Sequence, residues 1–355
     1  MPIRVLLVED SPVAVVILRR ILDASPQIEV VGVAYTGVEA LDLIPTVQPD
    51  VICTDLHMPQ MDGFEFTVQV MSRYPRPILV ISASVQEEDT HHVFRLLEAG
   101  AVDIFPKPLA GLTGDDQDFS RILIDKIQVL SGIKVFKKKQ RLPSPPRQRA
   151  IAYPSGFAAD GYPKFKILVV GTSTGGPPAL QVLFSQLPTD FPIPVICVQH
   201  ICLGFLQGFI DWLSGSCQLP IQIAQLGASP LPGHIYFPPE DHHLELDHKG
   251  QFLCLKSPSV DGHRPSVTVT FQSVAEVYGR KTIGILLTGM GRDGADGMQA
   301  IAQAGGFTIA QDEDTSIVFG MPKEAIKLGA VQQILPIQAI APTLLALFPQ
   351  RSFIR

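Results

Sequence analysis

A chain of 355 residues is too long for one ordinary single-core domain, so two domains are the natural expectation. With 46% hydrophobic and 17% charged residues it can build packed cores and is not a disordered polymer. A formal net charge of −6 offers no general attraction for nucleic acid.

The five cysteines, Cys53, Cys197, Cys202, Cys217 and Cys254, are odd in number and none sit at CxxC spacing. They read as free thiols in a reducing compartment. No apolar run is long enough to span a bilayer, and the opening MPIRVLLVED meets acidic residues too early for a signal peptide. The expectation is a cytoplasmic protein without membrane insertion.

In chain order, short apolar runs at Ile3–Val8, Val30–Val33, Asp50–Thr54, Ile78–Ser82 and Val102–Phe105 read as buried parallel strands. Segments of helical period lie between them, the first opened by Ser11 as N-cap and Pro12 at the first helical position. A last helix is expected from about Gln117 to Leu130. Residues 1–133 therefore read as one α/β domain with a doubly wound parallel sheet. Residues 134–163 contain the run KVFKKKQRLPSPPRQR, basic and proline-rich, and read as an extended linker. A second α/β series fills 164–350, with strands at Phe165–Val170, Pro194–Val198, His234–Phe237 and Lys281–Leu287. Its helices are expected at Pro177–Gln186, Gly204–Trp212, Arg264–Tyr278 and Gly294–Ala304.

Three carboxylates fall at strand ends of the first domain. Glu9 and Asp10 close the first strand, and Asp55 closes the third in DVICTDLHMPQMDG. Ligands of parallel α/β sheets bind at that edge. Three converging carboxylates repel one another unless a hard divalent cation such as Mg²⁺ lies between them. Ser82 ends the fourth strand and Lys107 follows the fifth, where a hydroxyl and an ammonium can grip a phosphoryl group on Asp55. Pro108 after Lys107 raises a cis bond there as a way of fixing the lysine's direction. Singly, each acid would be an ordinary solvated loop residue; five such roles in order at successive strand ends would not be.

The Glu9–Asp10 pair, DLHMPQMDG, the Ser82–Ala83 step and the Lys107–Pro108 dipeptide resemble the receiver domain of two-component response regulators. The resemblance implies a flavodoxin-like fold and phosphorylation of Asp55 by a histidine kinase. It also implies Mg²⁺ on Glu9, Asp10 and Asp55, with Ser82 and Lys107 sensing the phosphate. Ile104 departs from the family's aromatic switch residue, although Phe105 is adjacent.

The second domain opens with KILVVGTSTGGPPAL, in which Gly171–Gly175 fits G-x-S-x-G, a nucleophile turn between strand and helix. Alone, such a loop is also a plain strand-to-helix turn. It gains weight because VICVQH puts His200 directly after a strand and LLTGMGRDG puts Asp293 just beyond another. Ser173, His200 and Asp293 then share one edge of one sheet, as a serine–histidine–aspartate triad requires. The order Ser…His…Asp separates the chain from the α/β-hydrolases, which run Ser…Asp…His. Of the other histidines, His242 and His243 are adjacent and on a strand would face opposite sides. His263 in DGHRPSV is the competing base and reads as shaping a substrate cleft.

The stretches GTSTGG, VQHICLGF, GHIYFPPEDHHLEL, HRPSVTVTF, LLTGMGRDGADGM and DTSIVFGMPKEAI are similar to chemotaxis protein-glutamate methylesterases of the CheB type, over about residues 165–350. The resemblance implies Ser173 as nucleophile, His200 as base and Asp293 as third member, with Thr174 and Met290 lending backbone N–H groups to the oxyanion. It implies hydrolysis of glutamyl methyl esters on chemoreceptor helices, deamidation of receptor glutamines, and no metal in the esterase site. It further implies that the unphosphorylated receiver covers the cleft. Ile201–Cys202 and Thr268 with Thr270 depart from the family's usual QHMP and SVDVLF, and are expected to flank the cleft while sparing the triad. A DNA-binding output is disfavoured, because no basic recognition helix follows the linker. A triad without a missing member argues against a merely binding role.

Overall fold

The computed structural model describes residues 1–82, 87–108, 116–133, 135 and 165–348. The stretch read as a linker, 134–163, lies outside these apart from Val135.

The first unit runs β1 (Ile3–Val8), α1 (Pro12–Asp23), β2 (Ile28–Ala34), α2 (Gly37–Val47), β3 (Val51–Thr54), α3 (Gly63–Arg73), β4 (Ile78–Ser82), α4 (Glu87–Ala99), β5 (Asp103–Pro106) and α5 (Asp116–Ser131). Its five strands pair in parallel in the order β2-β1-β3-β4-β5. Val5, Leu6, Leu7 and Val8 are all fully buried, as a strand covered on both faces requires. The α1 cap is as expected: Ser11 accepts from the Ala14 N–H, and Pro12 opens the helix. The order of strands changes direction between β1 and β3, so their carboxyl ends splay into a crevice. Glu9 and Asp55 sit there.

The second unit runs β6 (Ile167–Thr172), α6 (Gly176–Phe184), β7 (Val195–Gln199), α7 (Leu206–Ser214), β8 (Ile221–Ile223), β9 (Ile235–Phe237), β10 (His243–Leu246) and β11 (Phe252–Leu255). It continues with α8 (Val267–Tyr278), β12 (Thr282–Leu286), α9 (Ala295–Gln303), β13 (Phe307–Gln311), α10 (Met321–Lys327), β14 (Gln333–Leu335) and α11 (Ile337–Ala346). Seven parallel strands take the order β14-β13-β12-β6-β7-β9-β8. The expected strands and helices are all present, displaced by one to three residues. The antiparallel hairpin β10–β11, which has no counterpart among the expected strands, adds a small sheet outside the parallel one.

The three strands that matter, β12, β6 and β7, are adjacent at the centre of this sheet. Their inner residues, among them Ile167, Leu168, Val195, Ile196, Ile283 and Ile285, are fully buried. Each such side chain contributes roughly 1.5–3 kcal/mol of burial, so the site is carried by the fully buried centre of the sheet.

The two units pack against each other through the α4–β5–α5 face of the first. Phe94 on α4 lies 5.4 Å from the ring of Phe209 and 5.6 Å from that of Trp212, both on α7. Glu98 accepts hydrogen bonds from Gln181 of α6 and from the Trp212 indole, each at 3.1 Å. Aromatic burial with satisfied polar edges makes a specific contact. No helix among the described residues is long and apolar enough to cross a membrane.

Candidate active site and phosphoacceptor site

Ser173 follows β6 in a turn that only glycine permits. Gly175 has φ +78°, and a Cβ there would come within 2.5 Å of Ile317 Cβ. A Cβ at Gly289, in the loop after β12, would meet Ser173 Cβ at 2.9 Å and Met321 Sδ at 2.2 Å. The backbone of this loop therefore lies directly against the serine, and Met290 is the next residue. Thr174 opens the approach to α6, so its N–H stands near a helix N-terminus where negative charge is favoured.

His200 follows β7. Its Nε2 donates to Asp293 Oδ2 at 2.8 Å. Its Nδ1 is buried without a hydrogen-bond partner among the described residues, so no bond to Ser173 is formed in this arrangement. Catalytic hydrogen bonds are often open until substrate is bound.

Asp293 is 1% exposed and accepts three more bonds. Ser266 Oγ and the Thr268 N–H reach Oδ1 at 2.8 and 2.9 Å, and the Val267 N–H reaches Oδ2 at 2.7 Å. These are the first groups of α8, whose N-cap is Ser266. A helix N-terminus thus holds the carboxylate. Burial alone would raise the Asp293 carboxyl; the His200 bond and charge, with the Thr268 N–H and Ser266 hydroxyl, outweigh it and hold it well below the usual carboxylate range. The group stays charged and its lone pairs are filled.

Thr268 and Thr270, expected to flank the cleft, point into the protein interior and are absent from the cleft lining among the described residues. They are 4% and 1% exposed. Thr268 Oγ1 accepts the Gly294 N–H at 2.7 Å and Thr270 Oγ1 donates to Leu244 O at 2.8 Å, so they brace the Asp293 loop and the hairpin. Ile201 and Cys202 do line the cleft. His243 is a buried structural histidine, bonded to Pro258 O and to the Ser266 N–H.

His263, the competing base, stacks on His200 with ring centroids 3.7 Å apart. Burial, then the neighbouring His200, pushes its imidazole down to about 3. A folded value below the unfolded one means that the unfolded chain binds the proton first as pH falls. Stability is then lost between about pH 6.5 and 3, by up to about 1.4 kcal/mol per pH unit. His263→Phe should therefore lose less melting temperature than the parent between pH 7 and pH 5. Equal losses in the two proteins would contradict this.

The cleft at Ser173 and His200, about 420 Å³, is lined on its far side by the first unit: Phe94, Leu97, Asp103, Ile104, Ile122 and Lys126. Thr174 Oγ1 donates to Asp103 Oδ2 at 2.8 Å, and Lys126 is ion-paired with the same carboxylate. The sequence held no sign of this contact: Asp103 is an unremarked strand-start residue, and only the packing of two units brings it beside the serine.

At the other end of β5 lies the acidic crevice. One oxygen or more from each of Glu9, Asp10 and Asp55 lies within 4.8 Å of the others. Lys107 Nζ binds Asp55 Oδ2 at 2.6 Å and Glu9 Oε1 at 3.0 Å. The Leu56 N–H holds Asp55 Oδ1 at 2.6 Å. These two partners aim the lysine; the bond to Pro108 is not cis, and the one cis bond among the described residues is Arg264–Pro265. Burial pushes up the carboxyls of Glu9 and Asp55, with Asp55 adding to the effect on Glu9 and Lys107 offsetting part of it at both. Glu9 Oε2 is buried and has no hydrogen-bond partner among the described residues. An orphaned oxygen among crowded carboxylates fits a hard cation with oxygen ligands. Ser82 is 2% exposed at the end of β4. Ile104 and Phe105 are both buried, the Phe105 ring packing 4.9 Å from Phe119.

The fold and the acidic crevice thus define a response-regulator receiver joined to an α/β unit that carries Ser173, His200 and Asp293 at one edge of its sheet. The CheB methylesterase profile matches residues 168–344 and the response regulator receiver profile matches residues 5–112. The protein-glutamate methylesterase/protein-glutamine glutaminase of Nitrosospira multiformis is 39% identical over 350 residues, covering 98% of each chain. Enzyme 1 of that name from Syntrophus aciditrophicus is 40% identical over 357 residues, covering 97% of this chain and 98% of its own. The crystal structure of the Thermotoga maritima CheB methylesterase catalytic domain superposes with a TM-score of 0.50 at 39% identity, covering 52% of this chain and 98% of that one. The chain belongs to the protein-glutamate methylesterase/protein-glutamine glutaminase family, with a receiver domain ahead of the methylesterase domain.

Proposed function

We propose that the protein hydrolyses γ-methyl esters of glutamates on the cytoplasmic helices of methyl-accepting chemoreceptors, under control of Asp55 phosphorylation. The observation that carries this is the convergence of Ser173, His200 and Asp293 at the carboxyl ends of three adjacent strands, with Asp293 saturated by the start of α8 and bound to His200. The division into a receiver (1–133), a linker (134–163) and a catalytic domain (164–350) belongs to the same proposal, as does a cytoplasmic location.

In this reading Ser173 Oγ attacks the ester carbonyl and gives its proton to His200. The tetrahedral oxyanion forms near the N–H groups of Thr174 and Met290. Methoxide leaves with the proton from His200 as methanol, and the glutamyl group stays esterified to Ser173. Water then gives a proton to His200, attacks that ester, and releases the glutamate side chain and the free serine. A glutamine amide follows the same path with ammonia as leaving group. None of these steps calls on a metal.

In the receiver, Mg²⁺ bound by Glu9, Asp10 and Asp55 would neutralise the crowded carboxylates and the incoming phosphoryl group. A histidine kinase is the proposed phosphodonor. Phosphorylation takes Lys107 from its ion pair with Asp55, and Ser82 and Lys107 hold the phosphoryl oxygens. Lys107 directly follows β5, and β5 begins at Asp103, which touches Thr174. Release of that contact opens the cleft, provided the phosphorylated receiver favours the open arrangement.

Receptor fragments carrying either glutamyl methyl ester or glutamine at one methylation position would test the chemistry. Methanol from the first and ammonia from the second are expected, both lost in Ser173→Ala. Release that survives Ser173→Ala would refute the assignment.

A further inference from the structure

His200 is tethered through one nitrogen only. Its Nε2 is on Asp293, while Nδ1 is buried with no partner among the described residues. A single hydrogen bond at the tip of an imidazole does not stop the ring from rotating about the axis through that bond. The ring plane is set by His263, whose ring is parallel to it within 11° at 3.7 Å. That spacing is full face contact between two planar rings.

His263 is itself firmly seated. Its backbone exchanges two hydrogen bonds with Val260, at 3.1 and 2.9 Å. Arg264, the next residue, is clamped by Asp241 and by Ser257 O. Two residues on, Ser266 caps α8 and binds Asp293. The short segment 260–268 therefore holds His200 in two places, through its carboxylate partner and across its face. Burial also keeps His263 uncharged down to about pH 3, so it does not repel an imidazolium forming beside it.

Resting on the hydrolase reading above, we infer that His263 is a positioning residue: its ring locks His200 so that Nε2 stays on Asp293 and Nδ1 exchanges the proton with Ser173. In the familiar triad the aspartate binds Nδ1 and Nε2 is the base; here the roles of the two nitrogens are exchanged. The planar face of His263 carries the effect, not its ring nitrogens. Phenylalanine should therefore replace it and alanine should not.

The test uses the full chain with ¹⁵N-histidine, the His200 signals being assigned by their loss in His200→Gln. The parent and His263→Phe should show a protonated Nε2 and an unprotonated Nδ1 at His200. His263→Ala should show averaging between the two tautomers. In parallel, a fluorophosphonate reports the reactivity of Ser173 in the presence of acetyl phosphate and Mg²⁺. Labelling of His263→Ala should slow on the order of tenfold or more, since small misplacement of a catalytic group is costly, and His263→Phe should stay within about threefold of the parent.

An Nδ1–H tautomer in the parent would overturn the inference. So would unchanged tautomer and labelling in His263→Ala, or a phenylalanine variant as impaired as the alanine one. A parent with the expected tautomer but no labelling at Ser173 would instead sink the hydrolase reading, so the two failures are told apart.

Discussion

Asp293→Asn is expected to lower kcat for ester hydrolysis by about 10⁴-fold while leaving the fold in place. The four groups around the carboxylate are all donors: His200 Nε2–H, Val267 N–H, Thr268 N–H and the Ser266 hydroxyl. An asparagine has one oxygen to offer where the aspartate has two. If its NH₂ takes the Oδ2 position, it meets His200 Nε2–H and Val267 N–H head on. The ring then turns to the Nδ1–H tautomer so that Nε2 can accept, and Nδ1 loses its capacity as a base. If the NH₂ takes the Oδ1 position, it opposes the Thr268 N–H instead. Either way a buried donor is stranded, at a cost of about 1–3 kcal/mol. The variant should therefore melt lower but cooperatively, and kcat rather than KM should carry the loss. Near-parent kcat in a folded Asp293→Asn protein would remove Asp293 from the mechanism.

Asp103→Ala is expected to act in the opposite direction, raising hydrolysis in the absence of a phosphodonor by about tenfold or more. The Asp103 carboxylate is the polar link between the receiver and the residue after the nucleophile, and it is also the counter-ion of Lys126. A hydrogen bond to a charged group contributes about 1.5–3 kcal/mol, and 1.4 kcal/mol is tenfold in an equilibrium. Removing it also leaves the Lys126 ammonium, 19% exposed, uncompensated at the cleft. Burial alone would lower the Lys126 pKa; Asp103 outweighs that and raises it, and the substitution deletes this support. The closed arrangement should weaken on both counts, while the phosphorylated rate stays close to the parent's. An unchanged resting rate would mean that the contact does not restrain the enzyme, leaving the Phe94–Trp212 packing as the restraint.

Legibility in the sequence follows the range of the interaction. The strands that carry Ser173, His200 and Asp293 announce themselves as continuous apolar runs, and each site residue directly follows its run or lies a few positions beyond it. Glu9, Asp55, Ser82 and Lys107 were legible for the same reason. The hairpin β10–β11 and the three-residue strands β8 and β14 were not, because runs so short carry little periodicity. Helix α11 was hidden by Pro342 inside it. Thr268 and Thr270 adjoin the motif in sequence, but their burial and their bonds to Gly294 and Leu244 follow only from the way α8 turns them inward. The His263–His200 stack and the Asp103–Thr174 contact join residues 63 and 71 positions apart, and only the tertiary packing makes them neighbours.

The most direct measurement is methanol release from methylated chemoreceptor membranes by the intact chain, with and without acetyl phosphate and Mg²⁺, beside Ser173→Ala and Asp55→Asn. The account predicts slow release that rises with the phosphodonor, no rise in Asp55→Asn, and no release in Ser173→Ala. Equal release with and without the phosphodonor in the intact chain would contradict the proposed receiver control, and release by Ser173→Ala would contradict the proposed nucleophile.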